Sequence, residues 1–110
     1  MSDTIRAGQT LEMDPADIRV IQFDWDDEAF PALVTIVTST FTITIVKQNG
    51  VTILTKDQES IVSGNRKTQL RLIGTTATLN DEYWVNNKVV TNETPAQTVE
   101  RRFRVWITDK

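Results

Sequence analysis

Four carboxylates crowd one short stretch: in FDWDDEAF, Phe23 to Phe30, the acids Asp24, Asp26, Asp27 and Glu28 surround Trp25. Acids at that density have three uses. They can give oxygen ligands to a hard cation such as calcium, pair as general acid and base, or keep the end of a strand in water. An EF-hand type of calcium loop is not met, because it needs acids at alternate positions, a turn glycine and a distant bidentate glutamate. A glycosidase pair needs two carboxylates facing each other across a cleft, whereas strand alternation puts Asp24 and Asp26 together on the side opposite Trp25. The expectation is a strand whose Phe23 and Trp25 enter the core, followed by a solvated acidic loop. A cation held by the four acids stays open as an alternative.

The second set of candidate residues is aromatic and basic. If TVERRFRVWI is a strand with Phe103, Val105 and Ile107 on its inner face, then Arg102, Arg104 and Trp106 share the outer one. In the preceding strand Tyr83, Val85 and Val89 point inward, which turns Trp84, Asn86, Lys88 and Val90 outward. Two of the three tryptophans then stand on solvent faces. A large aromatic in water forgoes roughly 1.5–3 kcal/mol of burial, so such residues usually have a partner. Trp84 and Trp106 suit either a stacking platform for sugar rings or the centre of a protein interface, and Trp with Arg is the pair of residue types that dominates interface hot spots. A third alternative covers Trp106 with the N-terminal segment or the DPAD turn.

Composition narrows the chemistry. The 110-residue chain has neither cysteine nor histidine, which excludes thiol nucleophiles, Cys/His zinc sites, imidazole bases and Ser-His-Asp catalysis. A net charge of −3 argues against a nucleic-acid partner, since phosphate neutralisation needs a basic excess. No apolar run is long enough to span a bilayer, and MSDTIRAGQT lacks the apolar stretch of a secretion signal, so synthesis in the cytosol is expected. The scattered glycines form no phosphate loop. Asn92-Glu93-Thr94 matches a glycosylation acceptor, which in a chain expected to stay in the cytosol reads as chance. No cofactor, metal or catalytic residue is expected.

The elements that must carry these residues are strands. Alternation is clearest at Phe41, Ile43 and Ile45 with threonines between, and LVTIVT, 33–38, has the same character. Asn49-Gly50 is a hairpin signal, which predicts Val51 to Leu54 as the return strand. Further strands are expected at Ile18 to Trp25, Gln69 to Ile73, Tyr83 to Thr91 and Val99 to Thr108. A short helical turn is expected in LEMDPADIR, with Asp14-Pro15 at its start. Short strands at near-regular spacing with turn-rich connections imply an all-β fold, an antiparallel β-sandwich of about seven strands. The domain is expected over 16–110, with 1–15 as an N-terminal arm whose order before assembly stays open.

The ordered set of FDWDD, Gly74-Thr75-Thr76-Ala77, Tyr83-x-Val85 and Thr98-x-Glu100-Arg101 resembles a family of small tailed-phage and prophage structural proteins, the fibre-tail adaptors, from about Met13 onward. The chain departs from that pattern in having Phe30 where a second tryptophan often stands, one glycine in place of two, and the Trp84 and Trp106 pair. The resemblance implies an immunoglobulin-like sandwich and a non-enzymatic role in the virion. In that role the chain is an adaptor subunit joining tail, portal or fibre proteins in a possible homo-oligomeric ring, made in the host cytoplasm, with no nucleic-acid or membrane partner. Trp84, Arg102, Arg104 and Trp106 are then the partner-interface residues. The competing expectation is a carbohydrate-binding module using the same tryptophans, and a hydrolase using the acid cluster comes third.

Overall fold

Apolar residues at every second position bury one face of each strand, and two such faces must meet. The computed structural model describes residues 3–25, 33–50, 53–62 and 64–108, and in them eight strands form two four-stranded sheets. In chain order they are β1 (Asp3–Ile5), β2 (Thr10–Met13), β3 (Ile18–Asp24), β4 (Ile36–Lys47), β5 (Thr55–Val62), β6 (Lys67–Ile73), β7 (Glu82–Thr91) and β8 (Thr98–Ile107). One sheet has the order β1-β3-β6-β5 and the other β2-β8-β7-β4. The all-β sandwich expected from the sequence is the fold found. Phe23, Trp25, Leu70, Leu72, Tyr83, Val85, Phe103 and Val105 fill the space between the sheets and expose nothing.

The N-terminal segment takes part in both sheets. Residues 3–13 supply an edge strand to each sheet, both parallel to their neighbours: Thr4 lies opposite Gln22, and Leu11 opposite Val105. Ile5, Leu11 and Met13 join the common core. The chain reverses between these strands at Arg6 to Gln9, where Gly8 has φ of 81°, a conformation glycine adopts without strain. The reversal is fastened to β8, since Gly8 N–H donates to Arg102 O and Arg104 N–H to Gln9 O, each at 2.9 Å.

The helical turn expected in LEMDPADIR is replaced by β2 and a tight turn. Leu11 and Met13, two apart, present one face to the core as a strand does. Asp14 Oδ1 then accepts from Ala16 N–H at 2.8 Å, and Asp17 Oδ2 from Asp14 N–H at 3.1 Å. Gly74 closes on this turn: its N–H donates to Asp17 O at 2.8 Å, and a Cβ there would meet Asp14 O at 2.9 Å. Only glycine fits so close an approach.

The hairpin expected at Asn49-Gly50 is absent among the described residues. β4 pairs instead with β7, Thr42 opposite Asn86 and Thr44 opposite Trp84. The end of the run 33–38, from Ile36, and the run 41–45 merge into this one strand, with a bulge between Ile36 and Thr38. Val51 and Thr52 lie outside the described residues, and Ile53 and Leu54 are in no strand. The chain crosses to the opposite sheet as β5, TKDQESIV, whose charged residues concealed it from the alternation test.

β5 also explains how the free edge of β4 is guarded. Its register against β6 shifts between Asp57 and Ser60, and Gln58 has φ of 53°. Such a bulge re-aims the next side chain. Glu59 Oε1 thereby accepts the Phe41 N–H of β4 at 3.0 Å, while Oε2 meets Lys56 Nζ at 2.8 Å. A charge on the edge of TSTFTITI, otherwise uncharged, blocks strand addition there. Glu59→Ala is expected to lower stability by about 1 kcal/mol and to raise the rate of thioflavin-positive aggregation. Unchanged aggregation kinetics in the variant would remove Glu59 from that role.

Candidate interaction face

β7 and β8 place the four sequence-singled residues on one outer face. Trp84 lies opposite Arg104, Asn86 opposite Arg102 and Glu82 opposite Trp106, so the two tryptophans are diagonal neighbours. The Arg102 guanidinium carbon stands 4.0 Å from the centre of the Trp84 ring and that of Arg104 5.2 Å. Each lies within cation–π range, and the stacking removes rotamer freedom from both arginines. Arg104 Nη1 is 3.9 Å from Glu82 Oε1, and Arg104 Nε is covered without an acceptor. On the β4 side, Asn86 Nδ2 donates to Thr44 Oγ1 at 2.9 Å.

Trp106 is 39% exposed. Glu12 on β2 lies opposite it on one side and Glu82 on the other. The N-terminal segment therefore flanks this indole and leaves much of it open. No ring-to-ring contact joins Trp84 and Trp106 among the described residues; the ring pairs there are Phe23 with Trp25 and Phe23 with Phe103.

The opposite outer face, on β5, β6 and β3, pairs several of its polar side chains with one another. Arg71 grips Asp57 with two hydrogen bonds, Nε to Oδ1 at 2.8 Å and Nη2 to Oδ2 at 2.6 Å, and this fork holds the Asp57 carboxyl below its usual range. Gln22 Nε2 donates to Gln69 Oε1 at 3.1 Å. The two faces thus differ: one holds its Arg71 in a fork with Asp57, and the other displays aromatic rings, with guanidinium groups over Trp84.

The acid cluster divides. Asp24 is buried, with Arg6 Nη2 at 3.7 Å from Oδ2, and Trp25 lies in the core as expected, its ring stacked on Phe23 at 5.2 Å. Asp26, Asp27 and Glu28 lie outside the described residues. Among the described residues no three acids gather as a metal site would require.

Two polar clusters escaped the sequence reading, and both are structural. Asn87, on the inner face of β7, is fully buried. Its Oδ1 accepts from Trp25 Nε1 at 2.9 Å and Thr68 Oγ1 at 2.6 Å, and its Nδ2 donates to Ser39 Oγ at 2.9 Å. Asp81 is likewise buried. Its Oδ1 accepts from Asn49 N–H at 2.7 Å, and its Oδ2 from Tyr83 OH at 2.6 Å and Thr78 N–H at 3.0 Å. The phase of β7 places Asn87 inward, so this residue was within reach of sequence reasoning; Asp81 was not, because beside its near neighbours Thr78 and Tyr83 it is held by Asn49, 32 residues away.

Comparison of the chain with protein-family models gives no match, and comparison with curated proteins gives none either.

Proposed function

We propose that the chain is a non-enzymatic virion structural protein of a tailed phage or prophage, an adaptor that joins tail, portal or fibre components. Its contact surface is the outer face of β7 and β8. The observation that carries this reading is the stack of Arg102 and Arg104 on Trp84, with half-open Trp106 beside it. Trp and Arg held rigid at the centre of a sheet lose little entropy on binding, which is what an interface anchor requires.

The same arrangement weighs against a carbohydrate platform. Sugar rings stack on open indole faces, and here guanidinium groups lie over Trp84. The proposed fold family is immunoglobulin-like, and strand order supports it: β3-β6-β5 facing β8-β7-β4 matches strands B-E-D facing G-F-C of a constant-type domain, although β1 runs parallel where strand A of that domain is antiparallel.

The test is the mass of the purified chain by light scattering over a range of concentrations, with and without Trp106→Ala. A defined oligomer that dissociates at least ~10-fold more readily in the variant is expected for a ring subunit with this face at its contact. A monomer unaffected by the substitution, which captures no virion protein and binds a glycan array, would overturn the adaptor reading.

A further inference from the structure

Beside the Trp84 stack, where the Arg6–Gln9 reversal docks on β8, lies an open pocket of about 420 Å³ lined by Ala7, Asn86, Glu100, Arg101 and Arg102. We propose that this pocket receives the carboxylate of an acidic side chain from a protein partner, gripped by Arg102. The inference rests on the adaptor reading and specifies its partner's chemistry.

Three observations carry it. The guanidinium carbon of Arg102 lies over the Trp84 ring, 4.0 Å from its centre, a contact that takes up no N–H donor in a hydrogen bond and leaves the fork that matches a carboxylate with two parallel hydrogen bonds. Among the described residues no side-chain hydrogen bond or ion pair occupies that fork, and Arg102 is exposed. The contrast with Arg71 is direct: there the same fork is filled by Asp57 of the chain itself.

Charge supplies the complement. β7 and β8 together carry Lys88, Arg101, Arg102 and Arg104 against Glu82 and Glu100, a positive surplus on a chain whose net charge is −3. Glu100, on the pocket wall, has Lys88 opposite it in register, which offsets its repulsion of an incoming acid. A protein acid suits the site better than an acidic sugar, because the Trp84 ring that a pyranose would use is covered by guanidinium.

The full chain is titrated with a blocked tetra-aspartate peptide at low salt while the side-chain Nε resonance of Arg102 is followed by NMR, with N-acetylneuraminate as the competing source of carboxylate. The peptide is expected to shift that resonance. Affinity should fall about 10-fold in R102K, which keeps the charge and loses the fork, and further in R102A, with far-ultraviolet circular dichroism unchanged in both. Equal affinity in R102K and the parent, no binding of the peptide, or tighter binding of neuraminate would each overturn the inference. The two readings separate cleanly: assembly that Trp106→Ala disrupts without peptide binding sinks only the carboxylate site, whereas peptide binding by a chain that joins no virion protein sinks only the adaptor role.

Discussion

Asn87→Leu is expected to destabilise the domain by about 3 kcal/mol, measured as a lower urea midpoint at unchanged slope. The substitution conserves volume, so the loss comes from hydrogen bonding. Asn87 is a polar residue with no exposed area whose amide uses both its acceptor and its donor. Leucine would leave the Trp25 indole N–H and the Thr68 hydroxyl buried without the acceptor they share. A buried orphan of this sort costs roughly 1–3 kcal/mol, and Thr68 can rotate in search of another partner while the indole cannot. Ser39 is half-buried and nearer to water, so it adds less. Adding Thr68→Val to Asn87→Leu should recover part of the loss, because one of the two orphans disappears. A single-variant loss below about 1 kcal/mol would show that the amide orders the core without stabilising it.

Asp81→Ala is expected to cost a similar amount, about 2–4 kcal/mol, and to flatten the acid limb of the stability curve. Burial by itself would raise the Asp81 carboxyl. The hydrogen bonds from Tyr83, Asn49 and Thr78 outweigh it and hold the group below its ordinary value of 3.8. A carboxyl depressed in the folded state contributes stability that is fully present above its unfolded value and is lost as pH falls through the folded one. The parent should therefore weaken below about pH 4, and the variant should lack that share of the fall. Tyr83 works in the opposite range. Burial, reinforced by its bond to Asp81, pushes its hydroxyl up from 10.0 to about 12. Its neutral form is the one the fold prefers, so that stability holds below pH 10 and drains away as pH rises toward about 12. Denaturant midpoints at acid, neutral and alkaline pH for the parent, Asp81→Ala and Tyr83→Phe separate the two contributions. An acid limb identical in parent and Asp81→Ala would show that other carboxyls govern it.

Alternation along each strand was enough to identify the sandwich, most of its strands, and the side each β7 and β8 residue takes. Phe103, Val105 and Ile107 are fully buried, and Arg102, Arg104 and Trp106 share the other face, because the period of two is a local property of extended chain. Trp25 could be assigned to the core for the same reason. Where apolar spacing failed as a guide, the physics was competitive. In β5 the bulge and the edge position let Lys56, Asp57, Gln58 and Glu59 stand in a strand that no alternation marks. In LEMD two apolar residues were too few to separate a helical turn from a strand, and pairing with β8 decided it.

What the tertiary structure decided is which distant residues meet. Asn49 looked like the corner of a local hairpin, yet its N–H and side chain are drawn to Asp81, and β4 pairs with β7. Trp25 and Asn87 are 62 residues apart, and nothing in either stretch names the other. The candidate face follows the same division. Sequence placed Trp84, Arg102, Arg104 and Trp106 on one side of two strands; only the register between β7 and β8 set both guanidinium groups over Trp84 and left Trp106 beside Glu82. Orientation within a strand is fixed by backbone geometry one residue at a time, whereas register and sheet order are fixed by burial summed over the whole core.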